Sequence, residues 1–282
     1  MTHPKLINSC KEVAARGGQS AIKRVLTIAG SDSGGGAGIQ ADLKTFTAFG
    51  VFGMSAVTAV TVQNTLGVRG VETVSPRVVA AQIDAVIEDI GTDAVKIGML
   101  ASADIITATA ACLKKRAVKN IVLDPVMYAK SGHALLAANA ERTLIKELLP
   151  MAVIVTPNIP ETARLAGIKV TDITSAKKAA MAIHAFGPEF VLVKGGHLAG
   201  KYCRDLLFDG VRFTMFRYLR IDTKNTHGTG CTLSAAIAAC LALGMEPRAA
   251  VKEAGAYLTG AIKNSFSLGG GNGPLNHFWR WR

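Results

Sequence analysis

Short stretches of β-branched and aliphatic residues alternate along the chain with longer stretches in which apolar positions recur every three or four residues. Residues 24–29 (Arg-Val-Leu-Thr-Ile-Ala) are the first such short run, and their continuous hydrophobicity predicts a strand buried on both faces. The run empties into a glycine-rich turn over residues 30–38, after which Ile39, Leu43 and Phe46 mark one face of a helix with Asp42 in its first turn. Residues 51–62 predict another strand, which ends at the polar Gln63-Asn64-Thr65. Helical periodicity follows over residues 76–90, and residues 94–97 (Ala-Val-Lys-Ile), just before Gly98-Met99-Leu100, read as the next strand. The alternation continues with helices over 104–116, 139–149, 161–167 and 176–186, and strands over 120–123, 153–155 and 190–193. Repeated βαβ units predict an α/β fold with a mostly parallel central sheet and helices on both faces, built as a single domain over residues 24–282. Residues 203–221 alternate differently, and segments such as 212–216 (Arg-Phe-Thr-Met-Phe) predict a β-hairpin arm.

Near the C-terminal end, Asp222-Thr-Lys-Asn-Thr-His-Gly-Thr-Gly-Cys-Thr232 runs into an alanine-rich segment in which Leu233, Ile237, Cys240 and Leu241 recur with helical spacing. Gly228, Thr229, Gly230 and Cys231 therefore fall at a helix N-terminus, where outward N–H groups and the helix dipole favour a phosphate or a developing oxyanion. A thiol there has a depressed pKa, with Lys224 nearby to help, which makes Cys231 a candidate base or nucleophile. The plainer alternative is a capped helix whose cysteine is a small packed residue.

The other predicted strands also end in polar residues or glycine, which gathers Asp124, Lys130, Asn158, Glu161 and Lys194 along one edge of the sheet. Asn158 and Glu161 have the spacing of a helix capping box, a role that leaves room for ordering magnesium-bound water. Gln63 fits either a ligand contact or an ordinary turn. The glycine turn itself fails both familiar nucleotide motifs: no lysine follows its last glycine before Lys44, and no Gly-x-Gly-x-x-Gly spacing is present. It remains a loop through which a small ligand can touch backbone, with Asp32 and Asp42 as polar anchors.

The net charge of +12 favours anionic ligands, although residues 1–24 alone carry +4 of it, from five basic residues and one acidic. Residues 1–23 are expected to form a basic, disordered extension. No basic run, RNA-binding aromatic signature or zinc-finger spacing appears elsewhere, so a nucleic-acid partner is not expected. Hydrophobic residues make up 49% of the chain, yet no window approaches roughly 18 unbroken apolar residues, so no membrane span is expected either. Five cysteines without a pairing pattern point to a reducing, cytoplasmic setting. The aromatic end, with Trp279 and Trp281, is expected to bury both tryptophans over the domain or at an interface.

Taken in order, the glycine loop, Gln-Asn-Thr, Lys-Ile-Gly-Met-Leu, Asp-Pro-Val-Met, Ala-Lys-Ser-Gly, Thr-Pro-Asn-x-Pro-Glu, Lys-Gly-Gly-His and Asn-Thr-His-Gly-Thr-Gly-Cys resemble the hydroxymethylpyrimidine/phosphomethylpyrimidine kinases. These are ribokinase-like enzymes of thiamine biosynthesis, and the resemblance covers residues 24–282. It implies ATP-dependent phosphorylation of an aminopyrimidine alcohol and then of its monophosphate, with Mg²⁺, in a homodimer. By the same resemblance Asp42 and Gln63 bond the pyrimidine, Gly30, Met99 and Val126 line its pocket, and Cys231 takes the place of the aspartate base of sugar kinases. Gly228, Thr229 and Gly230 form the anion hole, Lys194 and Lys224 stand near ATP, and Asp124, Asn158 and Glu161 serve the metal. Gly34 departs from the family's frequent serine. Pyridoxal kinases of the same superfamily are the rival reading.

Overall fold

The computed structural model describes residues 22–128, 132, 135–137, 139–197 and 200–281. Lys130 and nearly all of the N-terminal extension lie outside the described residues. The first strand, β1 (Arg24–Asp32), runs past its apolar stretch because the turn begins only at Ser33. There the Asp32 carboxylate collects the N–H groups of Gly34, Gly36 and Ala37. Helix α1 (Gly38–Ala48) follows, then the hairpin of β2 (Phe52–Asn64) and β3 (Gly67–Thr73). The chain then alternates through α2 (Pro76–Asp89), β4 (Ala94–Ile97), α3 (Ala103–Lys115), β5 (Ile121–Leu123), α4 (Ala140–Glu147) and β6 (Ile154–Val155). It continues with α5 (Ile159–Ala166), α6 (Ile173–His184), β7 (Phe190–Val193), β8 (Tyr202–Phe208), β9 (Phe213–Leu219), α7 (Thr229–Ala242) and α8 (Pro247–Lys263).

One nine-stranded sheet holds all of these strands in the order β3-β2-β1-β4-β5-β6-β7-β8-β9. The five pairings from β2–β1 through β6–β7 are parallel, while β2–β3, β7–β8 and β8–β9 are antiparallel. Strand β1 is therefore the switch point, with β2 added on one side and β4 on the other. Open α/β sheets bind ligands beyond the carboxyl ends of strands at such a point.

Alternate residues of each strand feed two cores. Leu26, Ile28, Val95, Ile97 and Leu123 pack with α2 through α6, while Val25, Ala94, Val122 and Ile154 pack with α1, α7 and α8. Helix α7 lies between the sheet, α1 and α8, and every residue from Thr232 to Ala242 is buried. Its alanines make that possible, since larger side chains would hold the neighbouring layers apart.

Several expectations need correction. The β8–β9 hairpin is not a free arm, because β8 pairs with β7 and extends the sheet. Asp42 sits one turn inside α1, which has no acidic residue in its first turn. Trp281 is 63% exposed, so only Trp279, which donates to the Tyr257 carbonyl at 3.2 Å, packs onto the domain. The periodicity of α8 (Ala250, Ala254, Tyr257 and Ala261 all buried) and strand β3 add to the predicted elements.

The C-terminal segment is tied to the first turn of α7 through His277, whose Nε2 lies 3.0 Å from Thr232 Oγ1. Burial, aided by the charge of Lys44, pushes the His277 pKa from 6.5 down to about 4. The unfolded chain thus binds a proton that the folded one refuses. This contribution to stability is complete above pH 6.5 and is lost as pH falls toward 4. Urea unfolding of the parent should show that loss, and His277→Gln should flatten it. A variant curve parallel to the parent's would mean that His277 is not the titrating group.

Candidate active site

A cavity of about 670 Å³ opens beyond the carboxyl ends of the central strands. The wall from β1 and its loop includes Gly30, where a side chain would press on the Met99 sulfur. The same end is lined by Met99, Val126 and Gln63, the last near the end of β2. Gln63 reaches His227 at 3.2 Å and Thr61 at 3.1 Å, so it is part of a side-chain network and more than a turn residue.

Opposite stands the entrance of α7. Gly228 is its N-cap with φ of 83°, and no side chain caps this end, so first-turn N–H groups remain available to a ligand. A β-carbon on Gly228 would overlap the Gly36 carbonyl, so at this point the glycine turn and the N-cap of α7 meet backbone to backbone. Next to Gly230 lie Lys194 Nζ and Asp124 Oδ2, which a β-carbon there would meet at 3.4 and 3.5 Å. Lys194 donates to Asp124 at 2.7 Å. Burial opposes the charge on Lys194, but Asp124 and Glu161 outweigh it and keep the pKa above the usual lysine value.

Cys231, half-buried in the first turn of α7, faces this cavity. Its thiol is not depressed as the helix terminus alone would dictate. Burial pushes it up to about 11, and the Lys96 ammonium and the Gly38 N–H only partly offset that, while Asp42 and Asp124 add to it.

Lys96 is the principal group that sequence reasoning missed. It is fully buried in β4, and its Nζ donates to Asp42 Oδ2 at 2.8 Å; Thr27 donates to the same oxygen at 2.6 Å. Burial works against the lysine's charge, but Asp42, Cys231 and Asp124 hold its pKa above the ordinary value. The signal was present in Ala-Val-Lys-Ile: a cation inside a strand buried on both faces needs a partner.

On the metal side, Asn158 and Glu161 form the complete capping box of α5, with Asn158 N–H to Glu161 Oε2 at 2.8 Å and Glu161 N–H to Asn158 Oδ1 at 2.9 Å. Burial raises Glu161 to about 7; Lys194 lowers it and Asp124 raises it further. No cluster of three His, Cys, Asp or Glu side chains able to hold a metal occurs among the described residues. Two hard carboxylates with only one lysine between them still suit a hydrated divalent cation, held through water and not in a closed protein cage. Asp124, Asn158 and Glu161 fit Mg²⁺ in that sense.

The cavity thus gathers Gly30, Gln63, Met99, Val126, Asp124, Asn158, Glu161, Lys194 and residues 228–231. Two expected residues fall outside its wall. Asp42 has no exposed surface and lies behind the wall on Lys96, because a carboxylate in the second turn of α1 points at the sheet. Lys224 is exposed on the loop before α7.

A family model described as phosphomethylpyrimidine kinase matches residues 32–276. The chain belongs to that family. The hydroxymethylpyrimidine/phosphomethylpyrimidine kinase of Rhizobium meliloti is 53% identical over 259 residues, covering 91% of this chain and 97% of that one. The thiamine biosynthesis bifunctional protein ThiED of Geobacter sulfurreducens is 52% identical over 253 residues, 90% of this chain, and the chain spans about half (52%) of that protein's length. Among solved structures, the phosphomethylpyrimidine kinase of Clostridium difficile matches with TM-score 0.76 and 48% identity, over 85% of this chain and 99% of that one. The Staphylococcus aureus pyridoxal kinase in complex with AMP-PCP and pyridoxal matches with TM-score 0.86 and 37% identity, over 93% and 96%. The fold is ribokinase-like, and this member of the phosphomethylpyrimidine kinase family is a kinase.

Removing one member of the Lys96–Asp42 pair strands a buried charge. Lys96→Met should cost about 3–5 kcal/mol in urea unfolding, and Lys96→Met combined with Asp42→Leu should recover most of it. A single-variant loss under about 1 kcal/mol, the scale of solvated pairs, would show that water reaches the site.

Proposed function

We propose that this kinase transfers the γ-phosphoryl group of ATP to 4-amino-5-hydroxymethyl-2-methylpyrimidine and then to the resulting monophosphate, as a step in thiamine biosynthesis. The observation that carries this reading is one cavity with Gln63, Met99 and Val126 at one end and the uncapped entrance of α7 beside Lys194 at the other. An alcohol held at the first end meets a phosphoryl group held at the second. Phosphoryl transfer needs positioning and charge stabilisation more than covalent work, and helix N–H groups with a lysine supply both. Mg²⁺, when bound near Asp124, Asn158 and Glu161, neutralises charge on the phosphate oxygens. Of the two lysines expected near ATP, Lys194 beside Gly230 takes the phosphate role, and Lys224 is exposed on the loop before α7.

Gln63 is the expected pyrimidine contact, while Asp42 acts behind the wall. A homodimer is part of the same reading, supported by the exposed Val60, Val62 and Leu66 on the β2–β3 hairpin. One observation favours the pyridoxal kinase alternative, namely the close backbone match to the S. aureus enzyme. Phosphorylation of the two alcohols at matched concentrations separates the readings: greater kcat/KM on pyridoxal would reverse the assignment.

Cys231 is the proposed proton acceptor. With its pKa near 11, about one thiol in ten thousand is ionised at pH 7. If the thiolate is the base, kcat on the alcohol should rise about tenfold per pH unit through neutrality, and Cys231→Ala should lose about 10²-fold or more. A flat profile together with a variant within about threefold of the parent would end the base role and leave a packed thiol.

The second phosphorylation uses an acceptor that is already anionic, so it needs less of a base and more positive charge. Cys231→Ala should therefore damage the first transfer more than the second, and Lys194→Ala should harm the second at least as much as the first. Phosphorus NMR of products resolves the two steps. A parent that stops at the monophosphate with ATP in excess would refute the sequential reaction.

A further inference from the structure

Asp32 and His227 form a rigid pair beside Gln63. The Asp32 carboxylate accepts from the N–H groups of Gly34, Gly36 and Ala37 at 2.8, 3.0 and 2.8 Å, and its Oδ2 lies 2.8 Å from His227 Nε2. Burial would raise the Asp32 pKa, but His227 and the loop N–H groups outweigh it, so the carboxylate stays ionised. The His227 ring lies so close to Gly36 that a β-carbon there would overlap it, and the His227 backbone N–H donates to the Gly273 carbonyl at 3.1 Å, which holds the residue's backbone in place. Little freedom is left to the ring.

An ionised carboxylate only accepts hydrogen bonds, so His227 Nε2 carries a proton and donates it. As placed, Gln63 Nε2 lies 3.2 Å from His227 Nε2, which sets donor against donor; with the amide turned over, its oxygen shares the Nε2 proton with Asp32. The other end of the amide meets Thr61 Oγ1 at 3.1 Å. Thr61 gives its own proton to the Ser31 carbonyl at 3.0 Å, which leaves its oxygen free to accept from the amide NH₂. The Thr61 hydroxyl can donate to the amide oxygen or accept from the amide NH₂, so it tolerates this orientation and the histidine contact decides it.

We propose that His227, braced by Asp32, fixes the Gln63 amide so that it offers the cavity one N–H donor beside one oxygen lone pair, and thereby selects an aminopyrimidine. An amide has two N–H groups and two oxygen lone pairs. His227 and Thr61 use one of each, and the remaining pair matches a ring nitrogen next to an exocyclic amino group. A pyridine such as pyridoxal, with no amino group next to its ring nitrogen, cannot complete the match. Without His227 the amide could turn over and present the pattern reversed. His227 is thus a positioning residue that acts through Gln63, and its role in selectivity rests on the pyrimidine reading above.

The test compares kcat/KM for the aminopyrimidine alcohol and for pyridoxal in the parent, His227→Leu and His227→Gln. The leucine variant should lower the pyrimidine-to-pyridoxal ratio at least about tenfold, through KM for the pyrimidine, with KM for ATP within about twofold of the parent. The glutamine variant, whose side-chain N–H reaches a similar place, should restore most of the ratio. An unchanged ratio, or equal losses toward ATP and both alcohols, would overturn the proposal. Should the leucine variant not fold, Thr61→Val removes the amide's other anchor and should lower the ratio in the same direction; an unchanged ratio there counts against the proposal equally. Nitrogen-15 spectra of the ligand-free parent should show His227 protonated at Nε2, and a bare Nε2 would remove the orientation whatever the substrate. A parent without preference for the pyrimidine would overturn the selectivity together with the substrate reading, while the spectra still report on the amide.

Discussion

Charge balance at one corner of the sheet governs the site. Asp42, Asp124 and Glu161 bring three carboxylates together, and Lys96 and Lys194 return only two positive charges. None of the five can be solvated freely, so each is stable only through the others and through backbone N–H groups. The entrance of α7 and the Gly38 N–H of α1 supply part of the missing positive potential. Burial first, and the neighbouring Asp124 charge after it, push Glu161 up to about 7, with Lys194 only partly offsetting them. Such a corner disfavours a bare polyphosphate and favours one that arrives with a cation, which is the physical support for the Mg²⁺ in the proposed function.

The same balance explains why the thiol behaves differently from the expectation for a helix terminus. A dipole worth about half a charge competes with full desolvation and with two nearby carboxylates, and the larger effects win. Depression of a cysteine at a helix entrance is therefore a property of the whole neighbourhood, which a linear sequence does not display.

The sheet, its parallel direction and its two-faced burial were legible because strands such as Ile121–Leu123 and Phe190–Val193 are short, apolar and followed by glycine or polar residues. The strand ends also located Asp124, Asn158 and Lys194, since chemistry in such folds collects where strands stop. Side-chain direction was not legible. Asp42 and Gln63 both looked like ligands by position, yet one helix turn points Asp42 at Lys96 while the end of β2 points Gln63 at the cavity. Nor could spacing show that Asp32 and His227, 195 residues apart, meet at 2.8 Å. Trp281 shows the same limit at the surface, where composition favours burial yet the ring does not pack onto its own domain.

Backbone similarity and chemical identity part company in this fold, and the site shows why. The pyridoxal kinase backbone superposes with TM-score 0.86, above the 0.76 of the phosphomethylpyrimidine kinase, although sequence identity runs the other way, at 37% against 48%. Transfer of a phosphoryl group asks for the same sheet corner and helix entrance whichever alcohol is used, so the backbone carries little information about the acceptor. Discrimination needs only that a few buried donors and acceptors match one ring and leave another unpaired. On the reading proposed above those groups hang from Gln63, and their direction would be set by the loop carboxylate of Asp32 acting through the His227 ring. Since that histidine immediately precedes Gly228, the N-cap of α7, the proposed acceptor contacts and the proposed phosphate contacts are set on one short turn. A change of substrate in this fold therefore requires adjusting the acceptor contacts without moving the helix entrance they adjoin.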